Sequence, residues 1–357
     1  MGPDESPRPR RPGPLGIAFA MVVLAFGGLL ALIEYAGNAA DGGPRITLKL
    51  SPFPGAGEAG RSGPSTVFRA AREIGGNLIA DPALIEDSSQ GPLPRIAPDG
   101  RAPMKAYAPP FETNDRRPKI ALLVAGLGVG ASITDAALAQ LPPEVTLGFA
   151  PFTAELQSAI DKARGAGHEV LLEVPMEPFD FPDSDPGPHA LLVAASTEEN
   201  GKRLDWALSR ATGYAGVMNL LGGRFLGEET AIEPVLGHVA RRGLFFFDSG
   251  ASSSSVAVTA ARHMRAPIVT GTLSLDAVTT PALIDAKVAE LENAARQDGF
   301  AIGVASAFPV TIARLAEWAA NANARGFQLV PVSALAKRPP DPTAEAEAPS
   351  RARAATR

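Results

Sequence analysis

From position 119 to position 333 the chain alternates short apolar runs with stretches of helical periodicity, and this alternation restricts the possible folds more than any other feature. It opens on Lys119-Ile-Ala-Leu-Leu-Val-Ala. The apolar run at 120–125 is too short for an ordinary helix and suits a strand buried on both faces. Gly126, Gly128 and Gly130 follow, and then Ser132 leads into an apolar-periodic segment. Further strands are predicted at 145–151, 169–175, 214–219, 244–248, 267–275, 301–308 and 327–333, and helices at 132–141, 154–167, 198–211, 231–242, 254–264, 281–298 and 311–325. Gly167, Gly243, Gly299 and Gly326 sit just past helical runs, where a left-handed residue closes the last turn. Thr197, Thr280 and Thr311 stand near predicted helix starts. Strands that alternate with helices call for crossover connections and a parallel sheet. This many units predict an α/β domain in the form of an irregular β/α barrel, with its functional groups at the carboxyl ends of the strands.

The flanks have a different character. Arg8, Arg10 and Arg11 precede an uncharged apolar run at 15–33, about 19 residues, enough to cross roughly 30 Å of hydrocarbon as a helix. The expectation is a single transmembrane anchor over 15–36, with 1–14 in the cytoplasm and the rest of the chain on the periplasmic side of the inner membrane. Small residues after Tyr35 leave signal cleavage as the competing reading. Residues 37–118 are rich in Gly and Pro and read as a linker, but Leu84, Leu93, Ile96, Met104, Tyr107 and Phe111 favour docking of 82–112 on the domain surface. The domain proper is predicted over 119–338, and the Ala-, Pro- and Arg-rich tail at 339–357 reads as disordered. A net charge of −5 makes no case for nucleic acid, and the absence of cysteine excludes disulfides and thiolate metal sites.

The opening glycines, Gly126-x-Gly128 ahead of a helix, also fit the phosphate cradle of dinucleotide folds. The acidic residue expected at the end of the next strand is missing from Leu147-Gly-Phe-Ala-Pro-Phe, which argues against a nicotinamide enzyme.

Several phrases in order carry a resemblance. They are Ile120-Ala-Leu-Leu-Val with Gly126 and Gly128; Gly167-His-Glu-Val-Leu-Leu-Glu-Val-Pro-Met-Glu-Pro; Gly216-Val-Met-Asn-Leu-Leu-Gly-Gly-Arg-Phe; Gly243-Leu-Phe-Phe-Phe-Asp-Ser; and Leu275-Asp276. Residues 119–338 thereby resemble the divergent polysaccharide deacetylase family. The resemblance implies an irregular β/α barrel and a metal site built from an aspartate pair at the end of the first strand and histidines after later strands. Here Ala125 and Gly126 stand in place of the acid pair, Glu173 in place of one histidine, Leu220 in place of a second, and Ala305-Ser306-Ala307 replaces the late histidine phrase. No metal ligand set and no cofactor is therefore expected.

The four histidines, His168, His189, His238 and His263, lack the spacing that puts two ligands on one helix face and read as structural or solvated. Glu173, Glu177, Asp248 and Asp276 are the candidate catalytic carboxylates, since paired acids can cleave a glycosidic bond. Asn219, Arg224, Glu177 and Asp248 are the candidate ligand-binding residues, able to hydrogen-bond sugar hydroxyls without chemistry. The serines at 252–255 have no nearby histidine to activate them. Three readings follow: an envelope domain that keeps a carbohydrate cleft without metal-dependent deacetylation, a carboxylate hydrolase acting on envelope glycan, and a structural partner of another envelope protein.

Overall fold

The computed structural model describes residues 72–74, 77–250 and 252–336. The predicted anchor over 15–36 and the tail at 339–357 lie outside the described residues. Among the described residues no helix is long and apolar enough to cross a membrane.

The strands are Lys119–Leu127 (β1), Thr146–Phe149 (β2), Val170–Met176 (β3), Gly216–Leu221 (β4), Phe245–Asp248 (β5), Ile268–Thr270 (β6), Leu273–Ser274 (β7), Phe300–Ser306 (β8) and Gln328–Leu329 (β9). Helices Ala131–Gln140 (α1), Leu156–Gly165 (α2), Thr197–Leu208 (α3), Glu229–Arg241 (α4), Ala257–Met264 (α5), Pro281–Asp298 (α6) and Pro309–Asn321 (α7) lie between them. All nine strands belong to one sheet in the order β6-β5-β4-β3-β2-β1-β8-β7, with β9 beside β1. Every pairing in it is parallel. The architecture is a parallel-sheet half-barrel of the α/β class.

The segment predicted as one strand at 267–275 is two, because it changes neighbours midway. Ile268 to Thr270 pair with β5, whereas Leu273 and Ser274 pair with β8. Between them Gly271 donates its N–H to the Asp248 carbonyl and Thr272 donates to the Ile302 carbonyl, both at 2.8 Å. The backbones meet so closely at this handover that a Cβ on Gly271 would lie 2.6 Å from the Ser249 carbonyl oxygen. The last predicted strand also shrinks, to Gln328–Leu329, since Pro331 has no N–H to give a ladder and opens the 3-10 turn Val332–Leu335 instead.

Helix ends follow local chemistry. Ser196, not Thr197, caps α3, its hydroxyl accepting the Glu199 N–H at 3.1 Å. Proline occupies the first turn of α6 and α7, where its missing N–H costs nothing. Gly299 closes α6 at φ 81°.

Alternation along the strands sorts the core into two layers. Ile120, Leu122 and Val124 of β1 and Phe246 of β5 pack with helix residues such as Ile160, Leu204 and Leu236. Ala121 and Leu123 of β1 and Phe245 and Phe247 of β5 face the other way, into a cluster with Leu171, Met218, Val269 and Ile302. That inner cluster takes in Ala80, Leu84, Ala97 and Tyr107 from the segment ahead of the first strand. The segment holds the hairpin Ile85–Ser88 with Gly91–Pro94 and the short helix Pro103–Ala106. It is pinned near the amino ends of the strands: Met104 N–H donates to the Gly243 carbonyl, and Arg242 pairs with Glu86 at 2.6 Å. On the same side buried Glu169 accepts from Thr146 Oγ1 and from the Ser333 N–H, both at 3.0 Å, tying the last 3-10 turn across. The carboxyl ends of the strands are at the opposite end of the sheet.

Candidate binding site at the carboxyl ends of the strands

Odd-numbered residues of β3 face the inner cluster, as Leu171 shows, so Glu173 points inward one step closer to the carboxyl end. Its Oε1 accepts the Gly126 N–H at 2.5 Å, and this is its sole hydrogen bond among the described residues. Residues without bulk give it room. A Cβ on Gly148 of β2 would come within 3.3 Å of Glu173 Oε1 and 2.9 Å of Met218 Sδ. Glu173 is 1% exposed, yet Gly126 beside it is exposed. Burial pushes its carboxyl up to about 7, against a smaller downward pull from the Gly126 N–H. Among the described residues it makes no ion pair.

The other predicted site residues are engaged in holding loops. Asn219 clasps the turn after β5: its Oδ1 accepts the Ser249 N–H at 2.8 Å, while its Nδ2 donates to Ser249 Oγ at 3.0 Å and to the Leu221 carbonyl at 2.7 Å. The clasp accompanies the left-handed backbone of Leu221, at φ 59°. Asp248 alternates with inward-facing Phe247. Its Oδ1 accepts the Gly250 N–H at 3.0 Å and its Oδ2 accepts the Ser255 hydroxyl at 2.6 Å. Asp276 Oδ2 accepts the Ser306 N–H at 2.8 Å and the Thr311 hydroxyl at 3.0 Å, joining the end of β8 to the start of α7. Glu177 forms an ion pair with Arg224 at 2.8 Å, and its Oε2 accepts the Val193 N–H at 2.7 Å. Arg224 remains half exposed in that pair.

The positions at which the resemblance places metal ligands carry almost no donors. Ala125 and Gly126 lie just before the end of β1, Leu220 lies on β4, and Ser306 pairs with Ala125 across the sheet. Glu173 is the one strong ligand among them. A catalytic zinc takes three protein ligands and an open water position, so this donor set does not fit one. The histidines are elsewhere. His168 Nδ1 lies 2.9 Å from the Val145 carbonyl, His189 stacks on Trp206 at 3.7 Å, and His238 pairs with Asp205 at 2.9 Å. His263 lies between Glu233 and Glu229 on outer helices, where these three form the group of possible metal-ligating side chains found among the described residues.

One feature of the strand ends escapes the sequence reading. Val129, Phe152, Phe179, Leu221, Val278 and Phe308 are exposed large apolar side chains, and each lies at or within four residues of the carboxyl end of a different strand. Val129 is 70% exposed and Phe179 65%. A faint signal exists in Pro151-Phe152, Pro178-Phe179 and Phe308-Pro309, since proline marks loops and the neighbouring ring gains nothing by standing there unpaired. An apolar rim with a recessed carboxylate is a binding surface in form. It offers stacking faces and hydrogen-bonding groups.

A parallel half-barrel with its amino ends covered and its loops open at the carboxyl ends of the strands places the domain in the α/β class. Residues 122–336 match the sequence profile of the divergent polysaccharide deacetylases, and the chain belongs to that family. Its similarity to an uncharacterized protein from Agrobacterium tumefaciens extends to the crystal structure: 44% identity and a TM-score of 0.67 over 69% of this chain and 99% of that one. It is also 23% identical over 203 residues to the uncharacterized protein YibQ of Escherichia coli, and 24% identical over 197 residues to an uncharacterized protein of Haemophilus influenzae. The first of these matches takes in 57% of this chain and 63% of YibQ; the second takes in 55% of this chain and 69% of its relative.

Proposed function

We propose that this protein is a membrane-anchored envelope protein whose deacetylase-like domain binds cell-envelope glycan without metal-dependent deacetylation. One observation carries the reading: Ala125, Gly126, Leu220 and Ser306 hold the positions where an acid pair and histidines would stand, leaving Glu173 alone. A metal-activated water needs several protein ligands and a base beside it. Alanine, glycine and leucine side chains have no donor atom, and a neutral serine hydroxyl is a poor ligand. The hydrogen bonds of Asn219, Asp248 and Asp276 are spent on backbone and hydroxyl groups within the domain. Exposed rings at the rim suit the C–H faces of sugars, with Arg224 and Glu177 at hand for hydroxyls.

The test is acetate release from acetylated envelope glycan by the purified protein, with added Zn²⁺, Co²⁺ or Mn²⁺. No release above background is expected with any metal, together with measurable retention on the glycan. Metal-stimulated release abolished by a chelator, and lost in Glu173→Ala, would instead support the carboxylate-hydrolase reading.

The anchor at 15–36 belongs to the same proposal. Basic residues ahead of the apolar run favour a cytoplasmic amino terminus and a periplasmic domain. A reporter active only in the cytoplasm, fused after Arg338, should stay silent; a strong signal would reverse the topology.

A further inference from the structure

The chemistry of the strand ends narrows the class of glycan, on the footing of the glycan-binding reading above. Loops leaving the carboxyl ends of the strands, at 150–155, 177–196, 222–228 and 275–280, carry Glu155, Glu177, Asp180, Asp183, Asp185, Glu228 and Asp276. The Lys and Arg content of those four loops is Arg224 alone, and Arg224 is paired with Glu177. Two further arginines reach these loops from outside them, Arg203 donating to the Ala190 carbonyl at 2.7 Å and Arg210 to the Pro151 carbonyl at 3.2 Å. Seven acids against three arginines still leave this end with a negative balance, complementary to a cationic ligand.

Surface acids alone would say little, because water screens them. The second observation is Glu173. It is buried, with Gly126 donating to it from β1, Met218 its register partner on β4, and a Cβ on Gly148 of β2 within 3.3 Å of its Oε1. One oxygen is held by the Gly126 N–H, and the other has no hydrogen-bond partner among the described residues. A carboxylate kept out of water without a cation is costly, and an arriving cation that pairs with it offsets part of that cost. An acetamide, being neutral, cannot do this. The exposed rings Phe152 and Phe179 and the side chain of Leu221 stand at the ends of β2, β3 and β4, the three strands that carry Gly148, Glu173 and Met218. They supply apolar faces of the kind a sugar ring stacks on. Among cationic ligands, those features together favour an amino sugar over a basic peptide.

We propose that the site selects glycan carrying free amines, the ammonium of a de-N-acetylated hexosamine pairing with the unheld oxygen of Glu173 while the sugar lies against the apolar rim. The domain then recognises what a deacetylase makes rather than what a deacetylase consumes. No bond is made or broken. The class of reaction that must supply the ligand is removal of an N-acetyl group from a polymer of amino sugars.

The test compares three probes on the full-length, detergent-solubilised protein by titration calorimetry near neutral pH. They are a hexamer of N-acetylglucosamine, the same hexamer fully de-N-acetylated, and a hexapeptide of lysine. The amine hexamer should bind at least about tenfold more tightly than the acetylated one, and Glu173→Gln should weaken it roughly ten- to hundredfold, the loss expected for one charge-assisted hydrogen bond. The peptide should bind more weakly than the amine sugar. Equal binding of the two sugars, or preference for the acetylated one, overturns the ammonium pairing and leaves glycan binding standing. Failure of both sugars removes the glycan-binding reading and the inference with it. A lysine peptide that binds as well as the amine sugar shows generic cation capture and overturns the proposal. If Glu173→Gln does not fold, the titration midpoint of the Glu173 carboxyl, followed by NMR in the unaltered protein, replaces it. The midpoint should fall when the amine hexamer is added, and an unmoved midpoint overturns the pairing.

Discussion

Truncation of Phe247 to alanine is expected to destabilise the domain by about 3–5 kcal/mol, because it empties a site that neighbours across the sheet cannot refill. Phe247 is fully buried in the inner cluster with Phe245, Leu171, Met218 and Ile302. Those residues are fixed on neighbouring strands, so collapse around a lost ring would have to distort the ladder. The control is Phe179→Ala. It removes the same ring from a position 65% exposed and should change stability by no more than about 0.5 kcal/mol. Denaturant unfolding of both variants gives the comparison. Equal midpoints for Phe247→Ala and the unaltered protein would mean that the inner face of the sheet is not the packed core described above.

The second large effect has the opposite sign. Glu173→Gln should make the domain more stable at neutral and alkaline pH. The folded carboxyl is pushed up to about 7 from an ordinary value of 4.5, so the folded state holds its proton over a range in which the unfolded chain has released it. Where the folded state binds more protons, stability falls as pH rises. The penalty is absent below pH 4.5, grows between 4.5 and about 7, and is complete above that. At about 1.4 kcal/mol per pH unit it reaches roughly 3 kcal/mol as an upper figure. Glutamine can still accept the Gly126 N–H and has nothing to ionise. The difference in unfolding free energy between variant and unaltered protein should therefore be small near pH 4.5 and widen toward pH 8. A constant difference over that span would show that Glu173 titrates like a solvated acid. A group that lowers stability while being held in place is what a binding site tends to contain. The same substitution that stabilises the fold is expected to remove its preference for amines.

Periodicity carries most of the fold. The alternation from 119 to 333 suffices for the strand and helix order, since burial on both faces makes each strand an unbroken apolar run and leaves each helix one apolar stripe. It places β1, β3, β5 and β8 within about two residues of where they lie. It misses the division at Gly271, because a change of pairing partner leaves no mark on hydrophobicity. It also overextends the last strand past Pro331. The docked segment is legible only in part. Leu84 and Tyr107 announce burial by their character, but the amino end of the sheet they cover is a surface assembled from distant positions.

At the site the division is sharper. The losses at Ala125, Gly126 and Leu220 can be read directly from residue identity, because an absent donor atom is absent in any fold. What the remaining polar groups do cannot. Asn219, Asp248 and Asp276 look like ligand contacts in a linear chain, yet their partners Ser249, Ser255, Ser306 and Thr311 draw them into loop clasps. Glu173 and Glu177 lie four residues apart, and only tertiary packing separates them: one is buried beside Gly126 and Gly148 with one oxygen unheld, the other tied to Arg224 at 2.8 Å. Residue type sets which charges and donors exist. Desolvation and hydrogen-bond partnership, which depend on what the fold brings near, decide which of them is left for a ligand.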